Sequence, residues 1–460
     1  MKLSANTLLN NVTVKPGTRV LFANVPADGH FNPLTGLAAH LLAKGCDVRW
    51  YTSVKYSDKI KRLGIPFYSM KKALDVSATD GDMTALFPAR GKVKGQVAKL
   101  KFDMINVFIL RSPEYYEDIA DIYQFFPFEI MIADVTFGGI PFVQEKMNIP
   151  VIAVNVIPNP ETSKDLPPPG LGMTPSNSIA GKLKQGVLRF IADKILFAGP
   201  TRVMKMMLAQ YGIQTNGAGI FDVMIRKSAA VMQSGTPGFE YKRSDMSSHI
   251  HFAGPLLPYS KKKEGPAWYD AKLGQYDKMI LVTQGTVEKD VEKLIVPTLE
   301  AFKDSEHLVV VTTGGSMTAQ LRKKYSSPNV IIEDFIPFDD VMPYADVYVT
   351  NGGYGGVLLS IQNQLPMVAA GVHEGKNEIN ARIGYFRLGV NLKNERPKPS
   401  QIKKAVAEIL NNQEYSENLK RLCQEFNTYQ PGKLCEELVA KLTNKRHLTL
   451  VELKDEEMIY

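Results

Sequence analysis

Residues 346–391 read DVYVTNGGYGGVLLSIQNQLPMVAAGVHEGKNEINARIGYFRLGVN, and the fold prediction starts from this stretch. The β-branched and aromatic run 347–350 predicts a strand, the glycine loop 351–356 ends it, and apolar residues at helical spacing follow. In this geometry backbone N–H groups and a helix N-terminus converge, and together they bind anions. Glycines suit the loop because a side chain would keep a phosphate away from the backbone. The stretch therefore predicts a phosphate site.

A second strand and a polar loop follow immediately. The apolar run 367–370 predicts another buried strand, and the loop after Gly371 holds His373, Glu374 and Lys376. Taken alone, a glycine loop is a weak motif, because it would equally serve tight packing of a strand against a helix. Two such loops at the carboxyl ends of successive strands, however, lie where open α/β sheets bind ligands. We interpret them as a diphosphate site beside hydroxyl-binding groups, which suits a sugar nucleotide.

Three segments of this region resemble the donor-sugar region of glycosyltransferase family 1. They are TNGGYGG at 350–356, PMVAAG at 366–371 and HEGKNEINAR at 373–382. The resemblance implies an α/β protein of GT-B fold, in which two Rossmann-like domains face each other across a cleft. It also implies a UDP-sugar-dependent enzyme of the bacterial and fungal branch that modifies small lipophilic compounds. Two positions depart from the commonest family pattern, since Asn351 replaces a histidine and Gly375 replaces an acidic residue.

Length, charge and cysteine content narrow the class of protein. A chain of 460 residues is too long for one hydrophobic core and predicts two domains. The net charge of +8 is spread along the sequence without a DNA- or RNA-binding pattern, so we expect no nucleic-acid partner. No apolar run reaches the ~18 residues of a membrane span, and residues 1–17 lack the apolar core of a signal peptide. The three cysteines have neither metal nor disulfide spacing, which favours a cytoplasmic protein.

A histidine near the N-terminus is the candidate catalytic base. The run 19–24 predicts the first strand, and His30 follows it on a loop. Beyond the loop, Asn32 as the cap and Pro33 as the first helical residue predict a helix. A lone histidine is more often structural than catalytic. The segment PADGHFNPLTGLAAHLLAKG at 26–45, however, resembles the family's N-terminal motif, and this resemblance implies that His30 is the general base.

Asp134 is the candidate partner of His30. It follows the predicted buried strand 128–133, where an aspartate often serves only to cap the next element. A catalytic imidazole, on the other hand, needs a carboxylate that holds its tautomer and stabilises its cation. The segment IADVTFGG matches the family at this point, and the resemblance implies that Asp134 orients His30.

The resemblance also implies which residues bind the two substrates. Phe335 stands where many relatives stack a tryptophan on uracil, and Thr286, after the predicted strand 279–283, would hold the phosphates. The implied donor-binding residues are Gly285, Thr286, Phe335, Ile336, Asn351, Gly352, Gly353, Gly355, Gly356, Glu374, Gly375 and Lys376. The implied acceptor-binding residues are Phe31, Phe87, Phe137 and Phe190.

Two stretches of the first half allow more than one interpretation. Residues 69–112 lack a clear periodicity, which fits either a variable lid over an acceptor pocket or a plain surface insertion. Residues 179–211 form a basic amphipathic stretch rich in methionine and phenylalanine. Such residues at helical spacing usually fill a core. They would also suit the wall of a hydrophobic acceptor site or contact with a membrane surface.

The predicted organisation places an acceptor-binding Rossmann-like domain at 1–253, a linker at 254–267 and a sugar-nucleotide-binding Rossmann-like domain at 268–425. Residues 426–460 would supply a helix that returns to the first domain, followed by a tail. We predict an inverting, UDP-dependent hexosyltransferase that moves glucose from UDP-glucose to a hydroxyl group of a lipophilic small molecule. We expect no metal and no cofactor besides this co-substrate, and a monomer or weak dimer.

Three alternative functions make different demands on the sequence. A GT-B sugar-nucleotide epimerase needs no acceptor, which would leave the long apolar segments of the first half without a purpose. A non-catalytic sugar-nucleotide or lipophile-binding protein could keep the glycine loops but has no need of the His30 and Asp134 pair. A Rossmann dehydrogenase is disfavoured because the first strand–helix turn, VPADGHFNP, lacks G-x-G-x-x-G. The natural acceptor does not follow from the sequence.

Overall fold

The structure is a computed structural model that describes residues 13–79, 83–259, 266–285, 288–373 and 375–457. Within these residues the chain forms two parallel β-sheets, one of seven strands and one of six. The first sheet contains β1 Arg19–Ala23, β2 Asp47–Thr52, β3 Phe67–Ser69, β4 Ile130–Asp134, β5 Val151–Asn155, β6 Ala230–Ser234 and β7 Ile250–Gly254. The second contains β8 Met279–Thr283, β9 Leu308–Thr312, β10 Val330–Glu333, β11 Val347–Thr350, β12 Met367–Ala369 and β13 Gly389–Asn391.

Helices form most of the crossovers, because a parallel strand must be reached by a long connection. Their bounds are α1 Asp28–Ala43, α2 Ser57–Arg62, α3 Met83–Leu86, α4 Pro88–Gly91, α5 Gln96–Asp103, α6 Ser112–Phe125, α7 Ile140–Glu145, α8 Ile179–Ile191, α9 Ala198–Gln210, α10 Val223–Arg226, α11 Ile295–Phe302, α12 Thr318–Lys324, α13 Phe338–Val341, α14 Tyr354–Gln362, α15 Lys376–Tyr385, α16 Pro399–Leu410, α17 Gln413–Phe426 and α18 Pro431–Glu457. Among the described residues, none of the helices combines the length and the apolar character needed to cross a bilayer.

The strand order determines where each domain binds a ligand. The first sheet runs β3-β2-β1-β4-β5-β6-β7, and the second runs β10-β9-β8-β11-β12-β13. In both sheets the order reverses at the first strand, so the switch points lie between β1 and β4 and between β8 and β11. Open α/β sheets bind ligands beyond the carboxyl ends of the strands at such a point. The sequence segments that follow these four strands are those predicted to hold the site.

Helices cover both faces of each sheet, which explains why the central strands are apolar along their length. Every residue of β4 and of β8 is buried. In the N-terminal domain Phe22 and Ile132 share one core with Leu34 and Leu41 of α1. Two buried clusters on opposite faces of the second sheet form the core of the C-terminal domain.

Helix α18 completes the N-terminal domain although it comes last in the described chain. Cys435 and Val439 are fully buried in the same core as β1. At the edge of this contact, Glu436 accepts hydrogen bonds from His40 Nε2 at 3.0 Å and ion-pairs with Lys44 at 3.2 Å. The sequence predicts a returning helix and a tail within 426–460, whereas α18 takes up most of this segment, since it continues to Glu457. The predicted domain boundaries stay predictions.

Helix α1 begins earlier than its sequence indicates. Asn32 and Pro33 were expected to start it, but the helix begins at Asp28, and Pro33 lies inside it. Ala27 is the N-cap in an extended conformation, and its carbonyl accepts from the backbone N–H of His30 at 3.0 Å. Pro33 removes one intrahelical hydrogen bond, which the remaining turns of this long helix tolerate. His30 therefore lies in the first helical turn rather than on the preceding loop.

The stretch 69–112 is largely helical despite its irregular sequence. It contains α3, α4, α5 and a π-helical segment at Met104–Ile109. Arg90 and Asp103 join α4 to the end of α5 through a two-point ion pair with distances of 2.6 and 2.8 Å. Short helices held by local pairs lack the long periodicity on which a sequence prediction depends.

Candidate active site

The first switch point brings His30 and Asp134 together. Strands β1 and β4 pair in parallel, and Ala23 lies opposite Ala133, so the two strands end side by side. Asp134 is the last residue of β4, and His30 stands on the first turn of α1 after β1. The Nδ1 atom of His30 lies 2.9 Å from Oδ1 of Asp134. The predicted proximity of the two side chains is therefore present in the structure.

Asp134 is surrounded by hydrogen-bond donors. The backbone N–H of Val25 donates to Oδ2 at 2.8 Å, and the backbone N–H of Thr136 donates to Oδ1 at 2.9 Å. The Thr136 hydroxyl also donates to Oδ1. The aspartate side chain is fully buried, whereas 22% of the His30 side chain is exposed. Donors on every side favour the ionised carboxylate, which only accepts hydrogen bonds.

This arrangement selects one histidine tautomer. Because the carboxylate has no proton to give, the hydrogen between the two residues must belong to His30 Nδ1. The Nε2 atom then carries a lone pair and can accept a proton from a substrate. The charge of Asp134 also affects the nearby Tyr115. Burial raises the pKa of Tyr115, and the negative charge of Asp134 raises it further. The sequence prediction gave no role to Thr136, whose oxygen lies 3.2 Å from His30 Nδ1.

The second switch point forms the glycine-rich site. Helix α14 begins after Gly353, which is an extended N-cap without a side-chain hydrogen bond, so its first N–H groups have no capping side chain. A Cβ atom on Gly355 would meet nothing within 4 Å apart from its own helix. The N-terminus of α14 is thus open on the side that a ligand would approach. This is the geometry that binds a phosphate group.

Other glycines of the loop serve packing. Gly352 has a φ of +88°, and a Cβ atom there would lie 1.8 Å from Oδ1 of Asn380. Asn380 in turn donates to the carbonyl of Gly371 at 2.9 Å and so joins the two loops. A Cβ atom on Gly356 would lie 3.0 Å from the Tyr348 hydroxyl. The loop therefore contains glycines of two kinds, some packed against neighbours and some facing open space.

Asn351 has a partner within the protein. Its side-chain amide donates to the carbonyl of Gln284, which joins the loops after β8 and β11. The Gln284 side chain accepts from the backbone N–H groups of Leu294 and Ile295 at 2.9 and 3.0 Å and fixes the start of α11. As an implied donor-binding residue, Asn351 therefore has only its second amide hydrogen available for a ligand. Of the other predicted donor residues, Thr286 and Glu374 lie outside the described residues.

The remaining donor residues fall into three environments. Phe335 is 68% exposed beside the loop after β9, so its ring is free to stack on a base. Ile336 is buried in the C-terminal core, so its side chain offers almost no surface to a ligand. Gly285 and Gly375 have φ angles of +74° and +78°, and no atom of the described residues lies within 4 Å of a Cβ position on either. Gly375 is the N-cap of α15, whose first residue is Lys376.

The four predicted acceptor residues are not equivalent. Phe31 and Phe137 do not face the cleft, because both are buried in the core of the N-terminal domain. Phe31 stacks on Tyr56 with a centroid distance of 4.5 Å, so its assignment to an acceptor site is wrong. Phe137 packs against the aromatic residues behind β4, which corrects its assignment in the same way. Phe87 makes an edge contact with Phe102 at 6.3 Å within the 69–112 stretch.

Phe190 lines a cavity of about 650 Å³. The cavity lies between the loop that follows β5, helices α8 and α9, and the segment before α10. Pro168, Phe197, Ile220 and Phe221 supply apolar walls. Polar walls come from Asp222 and Asp245, whose carboxylates accept from the hydroxyl groups of Thr162 and Ser163. A cavity of this size fits a small organic molecule.

The two domains contact each other close to both switch points. Helix α1 contacts α14. The Tyr354 hydroxyl, on the first residue of α14, donates to the carbonyl of Ser234 at the end of β6 with a distance of 2.8 Å. Sequence reasoning did not find this contact, because a tyrosine inside a glycine loop gives no signal of its distant partner. The two domains therefore meet directly beside the glycine loop.

A second interdomain contact involves the loop after β5. Oε1 of Glu378 accepts from the backbone N–H groups of Gly170 and Gly172 at 2.9 and 2.7 Å. Asn377 Nδ2 donates to the carbonyl of Gly170 at 2.8 Å. The loop from the acceptor side is thus held against the start of α15, which directly follows the polar loop of the donor side.

Comparison with known proteins assigns the chain to a family. The family described as "Erythromycin biosynthesis protein CIII-like, C-terminal domain" matches residues 297–443. The 4'-demethylrebeccamycin synthase of Lentzea aerocolonigenes is 32% identical over 411 residues, which cover 89% of this chain and 96% of that protein. The chain belongs to glycosyltransferase family 1. The family prediction is therefore confirmed.

Further relatives support the fold of this glycosyltransferase. UDP-glucosyltransferase 1 of Beauveria bassiana is 26% identical, with coverage of 90% of this chain and 93% of that protein. The crystal structure of CalG4, the calicheamicin glycosyltransferase, has a TM-score of 0.72 at 20% identity and covers 93% of this chain and 99% of that chain. The predicted GT-B architecture, two Rossmann-like domains around a cleft, is confirmed.

Proposed function

We propose that this glycosyltransferase transfers glucose from UDP-glucose to a hydroxyl group of a lipophilic small molecule, with inversion at the anomeric carbon. The observation that carries the proposal is the His30–Asp134 pair, whose facing atoms lie 2.9 Å apart. His30 stands on α1, which contacts α14, the helix of the glycine-rich site. A protein that only binds sugar nucleotides has no use for an oriented, partly exposed imidazole. The choice of UDP-glucose also draws on the resemblance of the donor motifs and on relatives named as UDP-glucosyltransferases.

The proposed reaction is a single displacement. The acceptor oxygen forms a bond to the anomeric carbon as the bond from that carbon to the UDP oxygen breaks on the opposite face. His30 Nε2 takes the acceptor proton, and UDP leaves with the electron pair of the broken bond. The α-linked donor sugar becomes a β-glycoside. Asp134 holds the imidazole in place and stabilises the imidazolium that forms.

The leaving diphosphate needs stabilisation, and the open N-terminus of α14 is suited to this role. Its uncapped N–H groups and the helix dipole place positive potential where negative charge develops. Gly353 and Gly355 allow the phosphates to approach the backbone. Because this electrostatic contribution comes from the protein itself, we propose that the reaction needs no metal ion.

The test is mass spectrometry of a panel of phenolic and sterol-like alcohols incubated with UDP-glucose in the presence of EDTA. We expect a product heavier by one hexose, and NMR should show a β-linkage. An α-linked product, or an absolute requirement for a divalent cation, would contradict the mechanism. Conversion of the UDP-sugar in the absence of any acceptor would instead support the epimerase alternative.

A further inference from the structure

Helix α8 presents four apolar side chains to solvent and directs the polar side chains of Gln185 and Arg189 to the protein. Ile179, Leu183, Val187 and Phe190 are 90%, 71%, 51% and 62% exposed. The residue that this helix buries is Gln185. A surface helix of a water-soluble protein normally has the opposite orientation, with its apolar stripe toward the core. The reversed orientation needs an explanation.

Five exposed apolar residues, which we call the α8 stripe, follow one another along this segment, namely Ile179, Leu183, Val187, Phe190 and Ile195. Spacings of three and four residues place the members within α8 on one face of the helix. Ile195, just beyond the helix, is 65% exposed and extends the stripe.

The orientation of α8 is fixed by hydrogen bonds on its polar side. The Ser178 hydroxyl caps the helix by accepting from the backbone N–H of Gly181 at 3.1 Å. Gln185 Nε2 donates to the carbonyl of Ser176 at 3.3 Å, and Arg189 Nη1 donates to the carbonyl of Leu166 at 2.6 Å. These contacts hold the polar side against the loop after β5. The helix therefore cannot turn its apolar side inward without breaking them.

The charges of α8 are all of one sign. Its sequence, IAGKLKQGVLRFI, contains Lys182, Lys184 and Arg189 and no acidic residue. Lys182 and Lys184 are exposed and lie on either side of the stripe. A helix with one apolar face and a basic polar face lies in the interface of a membrane, where apolar groups enter the acyl boundary and basic groups meet anionic lipid.

We propose that the α8 stripe binds the surface of an anionic lipid bilayer. Charge complementarity selects this partner over a second copy of the chain. A symmetric dimer through the stripe would bring two basic helices together in a chain that already carries a net charge of +8, whereas anionic lipid attracts them. The contact would be peripheral, with the helix parallel to the bilayer plane.

The position of the stripe relates lipid binding to the proposed function. Phe190 belongs to the stripe and also lines the cavity of about 650 Å³, together with Arg189. A lipophilic acceptor dissolved in the bilayer would thus reach the cavity without crossing bulk water. This consequence rests on the proposed function, but the lipid binding itself does not, so the two can fail separately.

Flotation of the whole protein with vesicles tests the proposal. We expect binding to vesicles of phosphatidylcholine with phosphatidylserine, and much weaker binding to vesicles of phosphatidylcholine alone. Leu183→Gln and Val187→Gln should each weaken binding by about tenfold or more, because each removes an apolar side chain from the acyl boundary. Lys182→Gln and Lys184→Gln should each weaken binding to the anionic vesicles by about fivefold.

Val54→Gln is the matched control, since Val54 is a similarly exposed apolar residue (63%) outside the stripe, and this variant should bind as the parent does. The proposal is overturned if the parent protein binds neither type of vesicle, or if Leu183→Gln binds as strongly as the parent. It is also overturned if the parent protein binds no vesicles and sedimentation shows that it forms a dimer which the Leu183→Gln substitution dissociates. Glycosyl transfer by the parent protein in detergent-free solution is measured separately. If no transfer occurs, this result counts against the proposed function only.

Discussion

Arg382 and Glu240 join the two domains through a fully buried ion pair. Arg382 Nη2 donates to Oε1 of Glu240 at 2.6 Å and Nε donates to the same oxygen at 3.1 Å, with each side chain at most 5% exposed. Burial lowers the pKa of Arg382, but the charge of Glu240 outweighs this, and the net pKa lies above its ordinary value. Arg382 also contacts Glu378, which holds the loop after β5.

Removal of Arg382 should therefore be costly. In Arg382→Met the buried Glu240 carboxylate loses its nearer cation and keeps only Arg243, at 3.5 Å. Loss of a partner from a buried ion pair typically destabilises a protein by about 3–5 kcal/mol. Urea unfolding should show this decrease in the free energy of unfolding. The matched control is Arg387→Met, which removes an exposed arginine paired with Glu414 and should change stability little. Equal decreases in the free energy of unfolding would show that the buried pair stabilises the protein no more than the exposed pair does.

The His30–Asp134 pair should behave as one catalytic unit. His30→Ala should lower kcat by about 10²–10⁴-fold, the usual effect of losing a general base. Asp134→Asn should also be severe, because an amide hydrogen directed at Nδ1 would move the imidazole proton to Nε2. The double variant should be little worse than His30→Ala, with KM and UDP affinity nearly unchanged. Losses that multiply in the double variant would mean that Asp134 acts elsewhere.

Two glycines of one loop should respond in opposite ways to the same change. Gly352→Ala should destabilise the fold, because its Cβ would overlap Asn380 Oδ1 and its φ is +88°. Gly355→Ala should leave stability unchanged or raise it by about 0.5–1 kcal/mol, since alanine is the better helix residue. Its methyl group would, however, occupy the open N-terminus of α14 and weaken UDP binding. Thermal unfolding and calorimetry with UDP measure the two effects, and unchanged UDP affinity in Gly355→Ala would remove this glycine from the site.

Glu436 should make the attachment of α18 depend on pH. Burial raises the pKa of Glu436, but hydrogen bonds from His40 and Lys44 outweigh this, and the net pKa lies below its ordinary value of 4.5. A carboxyl group with a lowered pKa stabilises the folded state above its unfolded pKa, and this contribution is lost as the pH falls through the folded value. The stability difference between the parent and Glu436→Gln should therefore be full near neutral pH, decrease as the pH falls below about 4.5, and vanish once the pH is below the lowered folded pKa. The matched control is Glu417→Gln, which makes the same charge change on the exposed side of α17, away from the contact of α18 with α1. A difference that persists in acid would contradict the assignment.

Local patterns allowed prediction of the strands and of the segments that follow them. The strand at 347–350, the glycine loop after it and the nearness of His30 to Asp134 all follow from parallel topology, which brings carboxyl ends to one edge. These features depend on residues close in sequence or on a general rule of the fold. They are therefore visible without coordinates.

Features that depend on distant partners were not predictable. Arg382 and Glu240 are 142 positions apart, and neither residue is unusual in its local sequence. The apolar character of Phe31 is equally compatible with a cleft and with a core, and only packing against Trp50 and Tyr56 decides for the core. The reversed orientation of α8 is likewise set by hydrogen bonds to another loop, not by its own periodicity.

The return of α18 to the first domain has a consequence for how the chain is made. The N-terminal domain leaves the ribosome first, and domains generally fold in order of synthesis. Its core, however, includes Cys435, Leu438 and Val439, which are translated after the whole second sheet. Until then the face of the first domain that α18 covers stays exposed to other apolar surfaces in the cell. Folding of the part made first is completed by a part made near the end, so the nascent chain needs protection throughout the synthesis of the C-terminal domain.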